Sequence, residues 1–112
     1  MDIQITGRSV TVNEGLKEYV EDRLGSMLVA YPRVEDCHAI LSHEKYRFTA
    51  EVIVHGRDKL REVAQETSDD MYAAIDAATE KMNTQLRKLR EKMIERHHER
   101  QRLTDVEPVP DV

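Results

Sequence analysis

Seven apolar residues at three- and four-residue steps constrain this chain more than any other feature: Met71, Ile75, Ala78, Met82, Leu86, Leu89 and Met93. At 100° per residue they fall within about 40° of one line. Residues 71–93 therefore predict one long amphipathic helix whose stripe must lie on another element. Ser68 or Asp69 stands ahead of it as a cap. Beyond Met93 the stripe gives way to Arg96, His97 and Arg100, so the helix is expected to project past the body before Thr104-Asp105. Pro108 and Pro110 then mark a loose acidic tail.

A sheet and a second helix are the expected support. Ile3 and Ile5 alternate with Asp2, Gln4 and Thr6, the period of a half-buried strand, and Gly7 is expected to end it. Asn13 is placed to cap a helix whose first turn holds Glu14. Leu16, Tyr19, Val20, Leu24, Met27, Leu28 and Tyr31 carry its apolar face up to Pro32. Gly25 inside it costs about 1 kcal/mol relative to Ala, which makes the second half less secure. Cys37, Ala39 and Leu41 alternate with His38, Ile40 and Ser42, and His43-Glu44-Lys45 is expected to turn the chain. Phe48, Ala50, Val52 and Val54 then alternate with Thr49, Glu51, Ile53 and His55. Gly56-Arg57-Asp58 has hairpin composition. Residues 59–67 predict a fourth strand, and because Leu60, Val63 and Ala64 do not share a face, a bulge or an unfixed register is expected there. The order is β-α-β-β-β-α with a right-handed parallel crossover first, an α+β class: a four-stranded sheet with two helices packed on one face.

A chain of 112 residues suits one domain, here residues 1–95, with 96–112 as a helix extension and flexible acidic tail. No run approaches a membrane span, and the opening Met-Asp-Ile-Gln is unlike a signal peptide. The lone Cys37 fits a reducing compartment, and cytoplasm is expected. The net charge of −5 argues against a polyanion as partner until its distribution is read. Residues 81–102 hold eight lysines and arginines against three acids, a local charge of +5 on an otherwise acidic body. Such polarity favours an oriented encounter with a polyanion.

Within that segment Lys81, Lys88 and Lys92 fall about 80–120° from the stripe, with Gln85 between them at about 60°. Three ammoniums and an amide thus line one flank over roughly 16 Å, a spacing that reaches successive phosphates. Arg87 and Arg90 lie on the other side. A solvated flank is the plain alternative, but Glu–Lys pairs four apart would be its ordinary composition, and here only Glu91 intervenes, pointing away. Catalysis finds little support. His97 and His98 diverge by 100° on a helix, His38 and His55 read as strand surface residues, and no Gly-rich phosphate loop or nucleophile elbow appears. Neither a metal nor a cofactor is expected. With no Trp, and with Phe48 assigned to the core, recognition of RNA by shape and backbone is favoured over base stacking.

Asp70-Met71-Tyr72-Ala73-Ala74-Ile75-Asp76 and Ile5-Thr6-Gly7, with Lys81, Gln85-Leu86, Lys88 and Lys92, resemble the signature of the ribosome hibernation-promoting factor and ribosome-associated inhibitor family. The likeness covers residues 1 to about 95. It implies the same β-α-β-β-β-α fold in a non-enzymatic, cytoplasmic protein made in stationary phase or under stress. It implies docking on the ribosomal RNA of the small subunit at the A- and P-site region, excluding messenger and transfer RNA. Lys81, Gln85, Lys88 and Lys92 match the family's basic-helix positions, Tyr72 lies in the signature, and Arg8 and Lys45 are loop residues beside that face. Thr84 and Ser26 stand where relatives carry Arg and Lys, which implies two fewer phosphate contacts, with Arg87, Arg90, Arg96 or Arg100 as candidates to compensate. Short family members are of two types. Residues 96–112 resemble in length the extension of the type that opposes ribosome pairing, whereas Glu44-Lys45 and residues 70–76 resemble the pairing type. The free protein is expected to be a monomer without a small-molecule substrate. Two other classes compete: an adaptor docking its Met-bearing, basic last helix on an acidic protein, and a small module for double-stranded RNA.

Overall fold

The computed structural model describes the backbone of residues 2–106 and the side chains of residues 2–93. Its elements are β1 (Asp2–Arg8), α1 (Glu14–Leu28), β2 (Val34–Glu44), β3 (Arg47–Gly56), β4 (Leu60–Ser68) and α2 (Met71–Val106). The strands form one sheet in the order β1-β2-β3-β4, with β1 parallel to β2 and the other neighbours antiparallel. Both helices cover one face of it, as the periodicities require.

The register places Ile3, Ile5, Cys37, Ala39, Leu41, Ala50, Val52 and Val54 on the helix side. The residues from β2 and β3 meet Leu16, Val20, Leu24 and Leu28 of α1 and Met71, Ile75, Ala78, Met82 and Leu86 of α2 in one buried cluster, with Ile3 and Ile5 partly buried at its edge. Alanines on both sides of the contact (Ala39, Ala50, Ala64, Ala74 and Ala78, all at most 2% exposed) let α2 lie close to the sheet. Leu89 is only partly buried and Met93 is 40% exposed, so the stripe leaves the body in its last turn.

Local chemistry sets most of the boundaries. The Asn13 side chain accepts a hydrogen bond from the Leu16 amide at 2.8 Å, the expected cap. The cap of α2 is Asp70, whose carboxylate accepts from the Ala73 amide at 3.2 Å, and not Ser68 or Asp69. Gly7 does not end β1, which continues to Arg8; a Cβ there would lie 2.4 Å from the Val10 carbonyl oxygen, so its hydrogen is needed for the close return of the chain. Helix α1 stops at Leu28, short of the expected Tyr31.

The bulge expected in β4 is absent, since β4 pairs without interruption from Leu60 opposite Gly56 to Ser68 opposite Phe48. The register shifts instead at Val34 and Asp36 in β2. Leu60, Glu62, Ala64 and Glu66 share the helix side of β4, and Val63 packs on the open face opposite Ile53. The turn after β2 is Lys45-Tyr46, one step later than expected. Helix α2 runs through Thr104-Asp105 to Val106, and the rest of the expected acidic tail lies outside the described residues.

Candidate nucleic-acid interface

Helix α2 has two flanks with different roles. Toward α1 it presents Asp76, Asn83 and Arg90 at seven-residue steps, and each is engaged. The Tyr19 hydroxyl donates to Asp76 at 2.6 Å, and Arg23 pairs with the same carboxylate at 2.9 Å. That hydrogen bond, with a smaller contribution from burial, raises the Tyr19 phenol above its ordinary value. The Tyr31 hydroxyl donates to the Asn83 side-chain oxygen at 2.6 Å. Arg90 donates to the Ala30 carbonyl at 3.1 Å, just past the end of α1, and its guanidinium lies 5.0 Å from the Tyr31 ring centre. Arg90 thus clamps the end of α1 while keeping an exposed side chain.

The opposite flank runs beside the edge strand β4 and carries Lys81, Lys88 and Lys92, all exposed. Lys81 is not free: its Nζ lies 3.3 Å from the Glu66 carboxylate and donates to the Gln65 carbonyl at 3.3 Å. The row was expected to lack interleaved acids, and among the described residues no acid of its own helix pairs with it, but the sheet supplies Glu66. A pair with side-chain exposures of 48% and 37% is worth little and opens readily to a competing anion. Lys88 and Lys92 have no ion-pair partner among the described residues. Gln85 is half-buried, with its side-chain oxygen buried and unpartnered among the described residues.

The remaining candidates gather elsewhere. Arg8 ends β1, Lys45 sits at the tip of the β2–β3 turn, and Tyr72 opens α2, all at the end of the sheet where β1, β2 and β4 finish. Tyr72 is 44% exposed and packs edge-on against Tyr19 at 4.8 Å. Tyr72 and Lys92 are twenty residues apart on one helix, roughly 30 Å. Tyr72 faces α1, across the helix from the lysines, so the candidate residues do not share one surface: Lys81, Lys88 and Lys92 form a flank, and Arg87 is exposed away from it. Arg96 and Arg100 lie among the side chains outside the described residues. Sequence reasoning missed Tyr46, which is 76% exposed beside Lys45 and Arg47; a tyrosine next to a turn was the available signal.

Other chemistry has little to build on. Among the described residues no three His, Cys, Asp or Glu side chains gather as metal ligands. Burial pushes the Cys37 thiol up to about 12, with the charge of Asp36 adding to it, so the group stays protonated. Among the described residues no helix is long and apolar enough to cross a membrane.

The chain and its fold are similar to known proteins. The profile of a family described as Sigma 54 modulation protein / S30EA ribosomal protein matches residues 3–102. A ribosome hibernation promoting factor of Azotobacter vinelandii is 34% identical over 110 residues, spanning 98% of this chain and 100% of that protein. The structure of a ribosomal subunit interface protein from Coxiella burnetii superposes with a TM-score of 0.76 at 30% identity, covering 81% of this chain and 99% of that one. The N-terminal domain of Thermus thermophilus Protein Y gives 0.72 at 27% identity, covering 80% and 99%.

Proposed function

Since the chain belongs to the Sigma 54 modulation protein / S30EA ribosomal protein family, we propose that it is a ribosome hibernation factor. On this reading it binds the ribosomal RNA of the small subunit at the A- and P-site region and blocks translation by occupying the space of messenger and transfer RNA. It acts in the cytoplasm under stress or in stationary phase, as a monomer when free, and without enzymatic chemistry or a cofactor. Residues 1–95 carry the binding, and residues 96–112 extend it.

The observation that carries this reading is the lysine flank of α2. Lys88 and Lys92 are exposed without ion-pair partners among the described residues, and Lys81 is held by a surface pair and one backbone carbonyl. The helix is fixed by a buried stripe and by three side-chain clamps to α1, so the ammoniums are presented on a rigid support. Each phosphate they neutralise releases condensed counterions, which drives binding without base readout. Inhibition then needs only bulk in the right place.

The test is competition on purified small subunits. The chain should displace transfer RNA from programmed subunits at stoichiometric amounts, and added chain should lower messenger binding equally. Binding without displacement would remove the steric mechanism. The adaptor reading has one observation in its favour, an apolar cleft of about 340 Å³ floored by Leu60, Leu86 and Leu89 where the stripe emerges. Nuclease treatment separates the two, because an adaptor keeps its partner after the RNA is digested.

A further inference from the structure

The open face of the sheet carries a feature that the lysine flank does not explain. Where β2 turns into β3, Glu44, Lys45, Tyr46, Arg47, Thr49 and Thr67 line a recess of about 440 Å³. Its floor is the Thr49 and Thr67 hydroxyls, 3.1 Å apart across β3 and β4. Tyr46 stands at its wall, the most exposed aromatic side chain among the described residues. Lys45 and Arg47 flank that ring, and Glu44 is the one acid.

The turn is built to hold this shape. Only two residues join the strands, and Lys45 takes a left-handed backbone with φ of 58°, a region that costs a side-chain-bearing residue roughly 1 kcal/mol. On the opposite face the His43 and Phe48 rings stack at 4.2 Å and 8°, bracing the two strands just before the turn. The two-residue turn takes its positive φ as tight hairpins do, and the braced strands hold the Tyr46 ring out in water at a fixed place.

We infer that this recess takes one unpaired nucleotide of an RNA strand, with its base stacked on Tyr46. A nucleotide fits the volume, which is within the usual range for small-ligand sites. The ring offers a stacking face that any base can use. The threonine hydroxyls can donate or accept at the base edge, and the Glu44 carboxylate accepts from an exocyclic amine. Lys45 and Arg47 stand where the adjoining phosphates must pass, outnumbering the single acid. A bare phosphate would find no face to stack on and Glu44 to repel it.

Position joins this recess to the lysine flank. Lys81 reaches the carbonyl of Gln65, and Thr67 in the recess floor lies two residues along the same edge strand, roughly 7 Å away. One strand of RNA can therefore lie across the β4 edge with phosphates on α2 and a base in the recess. The inference deepens the proposed function by adding an unpaired nucleotide to a backbone contact, and so rests on RNA being the partner.

The full-length chain tests it in two arms, on purified small subunits and on a short unpaired RNA oligonucleotide carrying 2-aminopurine. Tyr46→Ala should weaken both by roughly tenfold, and Tyr46→Phe, which keeps the ring, should stay within about twofold of wild type. Neither should change the salt dependence, since no cation is removed, and thermal unfolding should be unaltered. Equal binding by Tyr46→Ala, or an equal loss in Tyr46→Phe, overturns the stacking role. A wild type that ignores small subunits but binds the oligonucleotide through Tyr46 removes the ribosomal reading and leaves the recess standing. A wild type that binds neither removes both.

Discussion

Glu66→Gln isolates the one acid that the sheet sets against the lysine flank. The change keeps the side chain's shape and removes a carboxylate 3.3 Å from Lys81 Nζ. At the dielectric of water such a pair attracts by about 1.3 kcal/mol. With exposures of 48% and 37%, solvent and side-chain entropy reduce the net to about 0.2–1 kcal/mol. An incoming phosphate must displace that interaction to reach Lys81, so the variant should bind small subunits about 1.5- to 5-fold tighter. If Lys81 then releases a counterion more fully, the slope of log affinity against log salt should steepen by up to about 0.9. The assay is a titration of labelled chain with purified small subunits over roughly 0.05–0.2 M salt. Thermal unfolding run alongside should show a stability loss of no more than about 1 kcal/mol. Unchanged or weaker affinity at an unchanged slope would mean that Lys81 belongs to the sheet and meets no phosphate.

Two further outcomes concern the fold. A Cβ at Gly25 would meet nothing within 4 Å, so Gly25→Ala should raise the urea midpoint, by about 1 kcal/mol of stability, whereas Gly7→Ala should lower it because the Val10 carbonyl stands in the way. Cys37 keeps its proton in the folded chain up to about pH 12, while the unfolded chain releases it near 9; stability should be indifferent to this thiol below pH 9 and fall between there and 12. Replacing Cys37 with Ala should remove that alkaline component from a stability–pH profile, and an unchanged profile would assign it to other groups.

The element order and the core were legible because they follow from local period. The α2 stripe, the alternation in β2 and β3 and the Asn13 cap each depend on neighbours a few residues away. Strand β4 was legible as a strand, but which way its residues face was not, for a physical reason. Its helix side holds Glu62 and Glu66 beside Leu60 and Ala64, so neither face reads as apolar. Glu66 belongs there because α2 lays Lys81 against that edge, a pairing fifteen residues distant that no local pattern encodes. Arg90 teaches the same lesson. The sequence put it among the RNA ligands by charge, and its contact to Ala30 and Tyr31 spans some sixty residues. The lysine flank itself was readable from helical geometry alone, but the degree to which each ammonium is free was not.

The sharpest single measurement is co-sedimentation with small ribosomal subunits as salt is raised, comparing wild type with the combined variant Lys81→Glu, Lys88→Glu, Lys92→Glu. With about four phosphates neutralised, the wild-type slope of log affinity against log salt should lie near −3 to −4, and the folded variant should not sediment with subunits at all. A variant that still unfolds cooperatively and binds as tightly as wild type would contradict the claim that this flank grips RNA.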